Sequence, residues 1–167
     1  MTSLESIARE RAEASGGQLL LLGIEDRQAL VALEQEIFPE DPWTTGMIAQ
    51  ELSSGRGVYF GVCVNDDAVA VPVLCGYAGI AVGIDADVMT MGVLPDFRGR
   101  GLGRVLMSAL IDVARLWGSE RVFLEVRESN AAAISLYENS GFEVVGRTKG
   151  YFRNPREDAL NMRLIVR

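Results

Sequence analysis

Between Val88 and Trp117 the chain changes from strand to helix periodicity, and a glycine-rich turn, Arg98-Gly99-Arg100-Gly101-Leu102-Gly103-Arg104, makes the change. Val88 to Val93 has strand character and ends at Pro95, where the chain cannot continue a central ladder. From Leu102, apolar Val105, Leu106, Ala109, Leu110, Val113, Leu116 and Trp117 mark one face of a helix of about four turns, and Gly118 stands where a C-cap belongs. Such a turn points the first, unpaired N–H groups of the helix at whatever lies before them, which is an anion-binding arrangement. Its glycines let backbone approach a phosphate closely, and its three arginines add charge.

The spacing rules out two familiar phosphate loops. A nucleotide-triphosphate loop ends in Gly-Lys-Ser/Thr, whereas Gly101 is followed by Leu102, Gly103 and Arg104. A dinucleotide fingerprint has its third glycine three residues after the second, whereas Gly99, Gly101 and Gly103 are spaced by two. A tight turn with solvated arginines is the structural alternative.

Around this segment the chain reads as short elements. Gln18 to Leu22 is a strand, Asp26 to Pro39 a helix with Leu30, Leu33, Ile37 and Phe38 on one face, and Thr44 to about Leu52 a second helix. Val58 to Val64 and Ala68 to Val82 form an antiparallel pair around Asn65, Asp66 and Asp67, and a polar loop, Gly83 to Asp87, leads into Val88. Beyond Gly118 come a strand at Val122 to Val126, a helix at Asn130 to Ser140 stopped by Gly141, and closing strands at Phe142 to Gly150 and Ala159 to Val166. The order is strand, two helices, three strands, helix, strand, helix, two strands. Residues 1–17 read as a loose or partly helical extension, and 18–167 as one domain, which 167 residues with 49% hydrophobic side chains can sustain.

Two function classes are disfavoured by composition. There is no histidine, and Cys63 and Cys75 lie in apolar runs, so neither a Cys/His metal site nor histidine catalysis is expected. A net charge of −7 disfavours nonspecific nucleic-acid binding and suits a cationic partner. No apolar run reaches the length of a membrane helix, and the N-terminus lacks a signal-peptide core, so the expected location is cytoplasmic.

The hexapeptide Arg98-x-x-Gly101-x-Gly103 resembles the pyrophosphate loop of the GNAT superfamily, which stands after a fourth strand and opens a long helix. The stretch Leu124-Glu125-Val126-Arg127, then Ser129-Asn130-Ala131-Ala132-Ala133-Ile134, then Leu136-Tyr137-Glu138 and Gly141-Phe142 resembles the RimI-type ribosomal-protein alanine N-acetyltransferases. The resemblance is dense from Met89 to Phe142, thinner over Trp43 to Ile80 and absent over the first seventeen residues. It implies an α/β (α+β) GNAT fold: a mixed, mostly antiparallel sheet of six to seven strands flanked by about four helices. It also implies acetyl-CoA as cosubstrate, with no metal. Backbone groups of Met91, Gly92 and Val93 would pair with its pantetheine arm, and Arg98 with Gly99 to Arg104 would hold its pyrophosphate.

Acetyl transfer to an amine needs the ammonium deprotonated, the thioester carbonyl polarised and the departing sulfur protonated. Glu125, flanked by Leu124 and Val126, is the candidate base, acting directly or through a water, and desolvation would raise its pKa. An exposed strand charge paired with Arg121 or Arg127 is the structural alternative. Asn130 and Tyr137 share a helix face two turns apart. Asn130 is most simply an N-cap, and the resemblance adds a coenzyme A contact. By the same resemblance the Tyr137 hydroxyl is the acid for the leaving thiolate, although an amphipathic core tyrosine explains it too. With no histidine beside a serine or cysteine, direct attack in a ternary complex is favoured over an acyl-enzyme.

For the acceptor, Pro42-Trp43, Tyr151 and Arg156-Glu157-Asp158-Ala159 match RimI-type segments that flank the peptide side, with Phe152 as a departure. Trp43 as a packing anchor and the Arg156 segment as a solvated turn are the alternatives. The resemblance implies a protein N-terminus as acceptor, the alanine of a small-subunit ribosomal protein, with no nucleic acid or membrane engaged. A small-amine acetyltransferase and a silent acyl-CoA-binding module remain as other readings.

Overall fold

A computed structural model describes residues 3–15, 17–65, 68 and 71–166. Its strands are β1 (Gln18–Leu21), β2 (Gly57–Val64), β3 (Val73–Ala81), β4 (Asp85–Val93), β5 (Arg121–Arg127), β6 (Glu143–Arg153) and β7 (Arg156–Ile165). Its helices are α1 (Leu4–Ser15), α2 (Arg27–Ile37), α3 (Thr45–Ser53), α4 (Leu102–Leu116) and α5 (Ala131–Asn139). The strands form one mixed sheet in the order β1-β2-β3-β4-β5-β7-β6, and β4–β5 is its parallel pair among the described residues. This is the mostly antiparallel α/β architecture expected.

Strand alternation sorts the apolar residues onto two faces. Phe60, Val62, Ala78, Ile80, Ala86, Val122 and Leu124 meet Leu106, Met107, Leu110 and Val113 of α4 in the larger core. Tyr59 and Tyr77 turn the other way, onto Leu30, Leu33 and Ile37 of α2 and Ile48 of α3. Gly92 makes the second packing possible, because a Cβ there would lie 2.5 Å from Cγ2 of Ile37. The end of α2 therefore rests directly on the β4 backbone.

Several boundaries differ from expectation for physical reasons. β3 starts at Val73, after Pro72, which has no N–H to donate, instead of at Ala68. Asp66 and Asp67 of the expected turn lie outside the described residues. β4 begins at Asp85, inside the expected loop, because Asp85, Ala86 and Asp87 pair with Arg121, Val122 and Phe123. Trp117 ends α4 as its C-cap, 49% exposed and off the buried face, before Gly118 at φ +75°. The closing strands run on to Arg153 and from Arg156, so Tyr151, Phe152 and the Arg156 segment are strand residues.

Sequence alone places the start of the fold near Gln18, yet α1 lies ahead of it and is packed into the larger core. Leu4, Ile7, Ala8 and Ala12 form its apolar stripe, and Ile7 is only 1% exposed. Arg11 donates to Oδ2 of Asp112 on α4 at 2.9 and 2.6 Å. Ile7→Ala therefore lowers unfolding stability by about 2 to 5 kcal/mol, measured by chemical denaturation; a loss below about 0.5 kcal/mol would mean that α1 is dispensable to the fold.

Candidate active site

Pairing between β4 and β5 ends at Asp87↔Phe123. Beyond that rung β4 stays with β3 and β5 stays with β7, so the two strands part. β4 is bulged at the same place: Gly79 faces Thr90 but Ile80 faces Val88, which leaves Met89 as the extra residue. Between the parted strands lies a cleft of about 800 Å³, walled by Val88 to Met91, by Leu124 to Arg127, by residues 37–44 and by the β6–β7 hairpin.

On the α4 side of the sheet stands the glycine turn. Gly99 and Gly101 are left-handed, φ +77° and +80°, and nothing lies within 4 Å of where a Cβ would be on either. The Gly101 carbonyl accepts from the Val105 N–H at 3.2 Å, so the N–H groups of Leu102, Gly103 and Arg104 precede the helical ladder. Gly103 faces Leu136 of α5, with room for only a 3.2 Å Cβ contact. The three arginines do different things. Arg98 Nε donates to the Val93 carbonyl at 3.0 Å, and the Arg100 guanidinium lies 5.0 Å from the Phe97 ring. Arg104 lines a separate small pocket with Arg11 and Arg115.

Asn130 Oδ1 accepts from the Ala133 N–H at 3.1 Å, which caps α5, and the residue borders the cleft. Tyr137, two turns on, is 8% exposed, packs 6.0 Å from the Phe142 ring and also borders the cleft. Burial pushes its hydroxyl pKa up to about 12.

On β5, Leu124 and Val126 are buried in the larger core at the edge of the cleft, while Glu125 projects from the opposite face and opens on it. Its pKa is raised, first by partial desolvation and then by the Asp87 carboxylate. Neither neighbouring arginine pairs with it. Arg121 Nε binds Asp85 at 2.5 Å, and Arg127 donates to the carbonyls of Pro155 at 2.8 Å and Asn154 at 3.1 Å. Phe152 lies under Arg127 at 4.4 Å, and Tyr151 meets Phe152 edge-on at 5.0 Å. Tyr151 is thereby held over the cleft, with its own pKa raised by burial and by Glu125 and Asp87. Within the Arg156 segment, Glu157 accepts from the Ser129 N–H at 2.7 Å and Asp158 from the Gly150 N–H at 2.9 Å. The first of these bonds ties the hairpin to the start of α5, and the second closes across the hairpin itself.

The remaining wall hangs on a buried carboxylate. Glu34, 2% exposed, accepts from the Trp43 backbone N–H at 2.9 Å and from the Tyr77 hydroxyl. Trp43 packs on the smaller core and faces the cleft. Desolvation is the larger influence on Glu34 and raises its pKa against both hydrogen bonds.

Residues 27–142 match the model of the acetyltransferase (GNAT) family. The chain belongs to the GNAT acetyltransferase family. It is 39% identical over 144 residues to N-alpha-acetyltransferase RimI of Mycobacterium tuberculosis, covering 83% of this chain and 85% of that one. Its fold matches the crystal structure of the ribosomal-protein-S18-alanine N-acetyltransferase from Escherichia coli with a TM-score of 0.77 and 31% identity, over 90% and 94% of the two chains. Arabidopsis thaliana NAA60 in complex with acetyl-CoA shares the fold, with a TM-score of 0.78, 18% identity and coverage of 90% and 98%.

In this acetyltransferase two side chains escaped the sequence reading. Glu34 carries a signal, a lone acid among Leu30, Leu33 and Ile37 on an apolar stripe. Asp87 carries one as well, since Asp85-Ala86-Asp87-Val88 alternates as a strand does. Gly101→Ala forces a Cβ into left-handed backbone, at a cost of about 1 to 2 kcal/mol. It is expected to weaken acetyl-CoA binding about tenfold in calorimetric titration; unchanged affinity would remove the turn from the binding site.

Proposed function

We propose that this acetyltransferase transfers the acetyl group of acetyl-CoA to the α-amino group of a protein N-terminus, with the N-terminal alanine of a small-subunit ribosomal protein as acceptor. The observation that carries the reading is a carboxylate, Glu125, standing where parted strands open the sheet between an anion-ready helix start and an aromatic-walled mouth. The names and extent of the similar proteins support the same acceptor class. Residues 18–167 form the acetyltransferase domain, α1 adds to its core, and the reaction takes place in the cytoplasm without a nucleic-acid or membrane partner. The net charge of −7 favours a basic protein partner over an acidic one.

The cradle fits the cosubstrate: the space before Gly99 and Gly101 lies where a Cβ would intrude, beside the three N–H groups that precede the helical ladder. Gly99 to Arg104 hold the pyrophosphate, with Arg98 bracing the strand end. Met91, Gly92 and Val93 present backbone to the pantetheine arm, and a backbone N–H there polarises the thioester carbonyl. Asn130 borders the same path. Acetyl-CoA, when bound, supplies an activated acetyl thioester.

Trp43 and Tyr151 flank the acceptor. Glu125 takes a proton from the ammonium, directly or through one water, and its raised pKa brings it closer to an α-amino group of pKa about 7.7 to 8.0. Tyr137, with its pKa pushed up to about 12, keeps its proton at neutral pH and donates a hydrogen bond to the sulfur as the C–S bond breaks. Full transfer to a thiolate whose acid has pKa about 8.5 is uphill from there. Hydrogen bonding to the developing charge is therefore the larger part of its work.

Turnover is measured as coenzyme A release with short peptides differing in their first residue, beside spermidine and an aminoglycoside. Peptides beginning with alanine are expected to react fastest; reaction of the small amines alone would overturn the peptide reading. Glu125→Gln and Tyr137→Phe each lower kcat by about two orders of magnitude with acetyl-CoA affinity retained. Full rate in either variant would remove that residue from the chemistry.

A further inference from the structure

The β4–β5 ladder ends on a carboxylate. Asp87 closes the last rung opposite Phe123, and strand alternation sets its direction. Ala86 on β4 and Val122, Leu124 and Val126 on β5 are buried in the larger core, so Asp87 and Glu125 both project from the other face. Glu125 lies two residues beyond that rung, about 7 Å along β5. The Asp87 carboxylate has no hydrogen bond or ion pair among the described residues.

We propose that Asp87 is a second carboxylate of the acceptor site: it holds the cationic amine beside Glu125 while Glu125 takes the proton. This rests on the acetyltransferase reading given above. It assigns to Asp87 a part that neither the glycine turn nor the Glu125 and Tyr137 pair supplies.

The charges around the fork leave a place for a cation. On β4, Asp85 is paired with Arg121 of β5, and its charge still helps to raise the pKa of Asp87. Arg127 is spent on the hairpin carbonyls and Glu157. From β6, Tyr151 brings a hydroxyl whose pKa both carboxylates help to raise after burial, and Arg153 on the cleft wall brings a positive charge nearer the hairpin turn. From β7, Arg163 stands across Phe123, one strand further from Asp87, with its Nε buried and unbonded. From the segment after α2, Glu40 and Asp41 line the cleft and add negative charge. Desolvation first and then repulsion from Asp87 raise the pKa of Glu125, while desolvation and then Asp85 raise that of Asp87. An incoming ammonium relieves that repulsion.

The protons balance. One ammonium proton passes to Glu125, and the freed lone pair forms the N–C bond to the acetyl carbon. The C–S bond breaks, sulfur leaves with its electron pair, a second nitrogen proton reaches the sulfur, and the third stays on the amide. Asp87 remains ionised throughout, so its charge sustains the proton affinity of Glu125.

Steady-state kinetics of Asp87→Asn and Asp87→Glu across pH, with acetyl-CoA affinity and thermal unfolding measured alongside, test the assignment. Asp87→Asn is expected to raise KM for the acceptor about tenfold. It is also expected to move the acid limb of kcat/KM to lower pH by about half a unit to one unit, because Glu125 loses a neighbouring negative charge. Acetyl-CoA affinity stays unchanged, and Asp87→Glu restores most of both effects. An unmoved KM and acid limb in Asp87→Asn would overturn the proposal. Equal losses in both variants, accompanied by weaker acetyl-CoA binding or a lower unfolding temperature, would overturn it too and show a structural role. Peptide turnover by the unchanged enzyme tests the underlying reading separately, and the ratio of variant to unchanged enzyme is read with whichever amine is turned over.

Discussion

A parallel ladder that stops early is the constraint on which the other features depend. β4 and β5 are fixed to each other through Asp85 to Asp87 and Arg121 to Phe123, and this short stretch sets their register. A slip of one residue would turn Glu125 into the α4 core and Leu124 into the cleft. Beyond the rung each strand satisfies its backbone on its outer neighbour, β3 or β7, so parting them leaves both still paired on one side. The bulge at Met89 helps β4 bend away, and the cleft is the space that results.

An opening through a sheet gives access from both faces, and the two faces are built differently. The α4 side offers backbone N–H groups and left-handed glycines, which suit phosphate. The α2–α3 side offers Trp43 and Tyr151 above carboxylates, which suits an amine on a peptide. Two further contacts keep the second side in place. Gly92 lets α2 settle onto β4, and Glu34 fastens the Trp43 backbone to Tyr77 of β3. A buried carboxylate is a costly fastener, and its two hydrogen bonds offset part of that cost.

Much of this was legible in the sequence because it lies in local pattern. The helical stripe from Leu102, the alternation around Leu124 to Val126 and the punctuation by Gly101, Gly118 and Gly141 locate α4, β5 and α5 and the turn between strand and helix. What was not legible depends on pairing at a distance. Asp85 to Asp87 reads as polar loop until Arg121 to Phe123 lies beside it. Residues 152 and 153 lie beyond the expected strand until they pair across a tight turn with 157 and 156. The stripe of α1 has a purpose only once Asp112 and the underside of α4 are known to face it. Arg98, Arg100 and Arg104 read alike by charge, and only their surroundings separate a brace on Val93, a contact with the Phe97 ring and a guanidinium beside Arg11 and Arg115.

The same separation by surroundings explains how one small site would keep the proposed acid and base from cancelling. Glu125 and Tyr137 both border the cleft, but buried Leu124 and Val126 belong to the core in which Tyr137 sits, while Glu125 projects from the opposite face. Desolvation raises both pKa values, with different consequences. A carboxylate raised by partial burial and by Asp87 becomes a stronger base. A phenol pushed up to about 12 becomes a more reluctant acid and so a more dependable hydrogen-bond donor. Burial alone accounts for the tyrosine, whereas for the glutamate burial comes first and a neighbouring charge adds to it. The place where β4 and β5 part is where strand geometry can supply that charge, because the last rung puts Asp87 and Glu125 on one face.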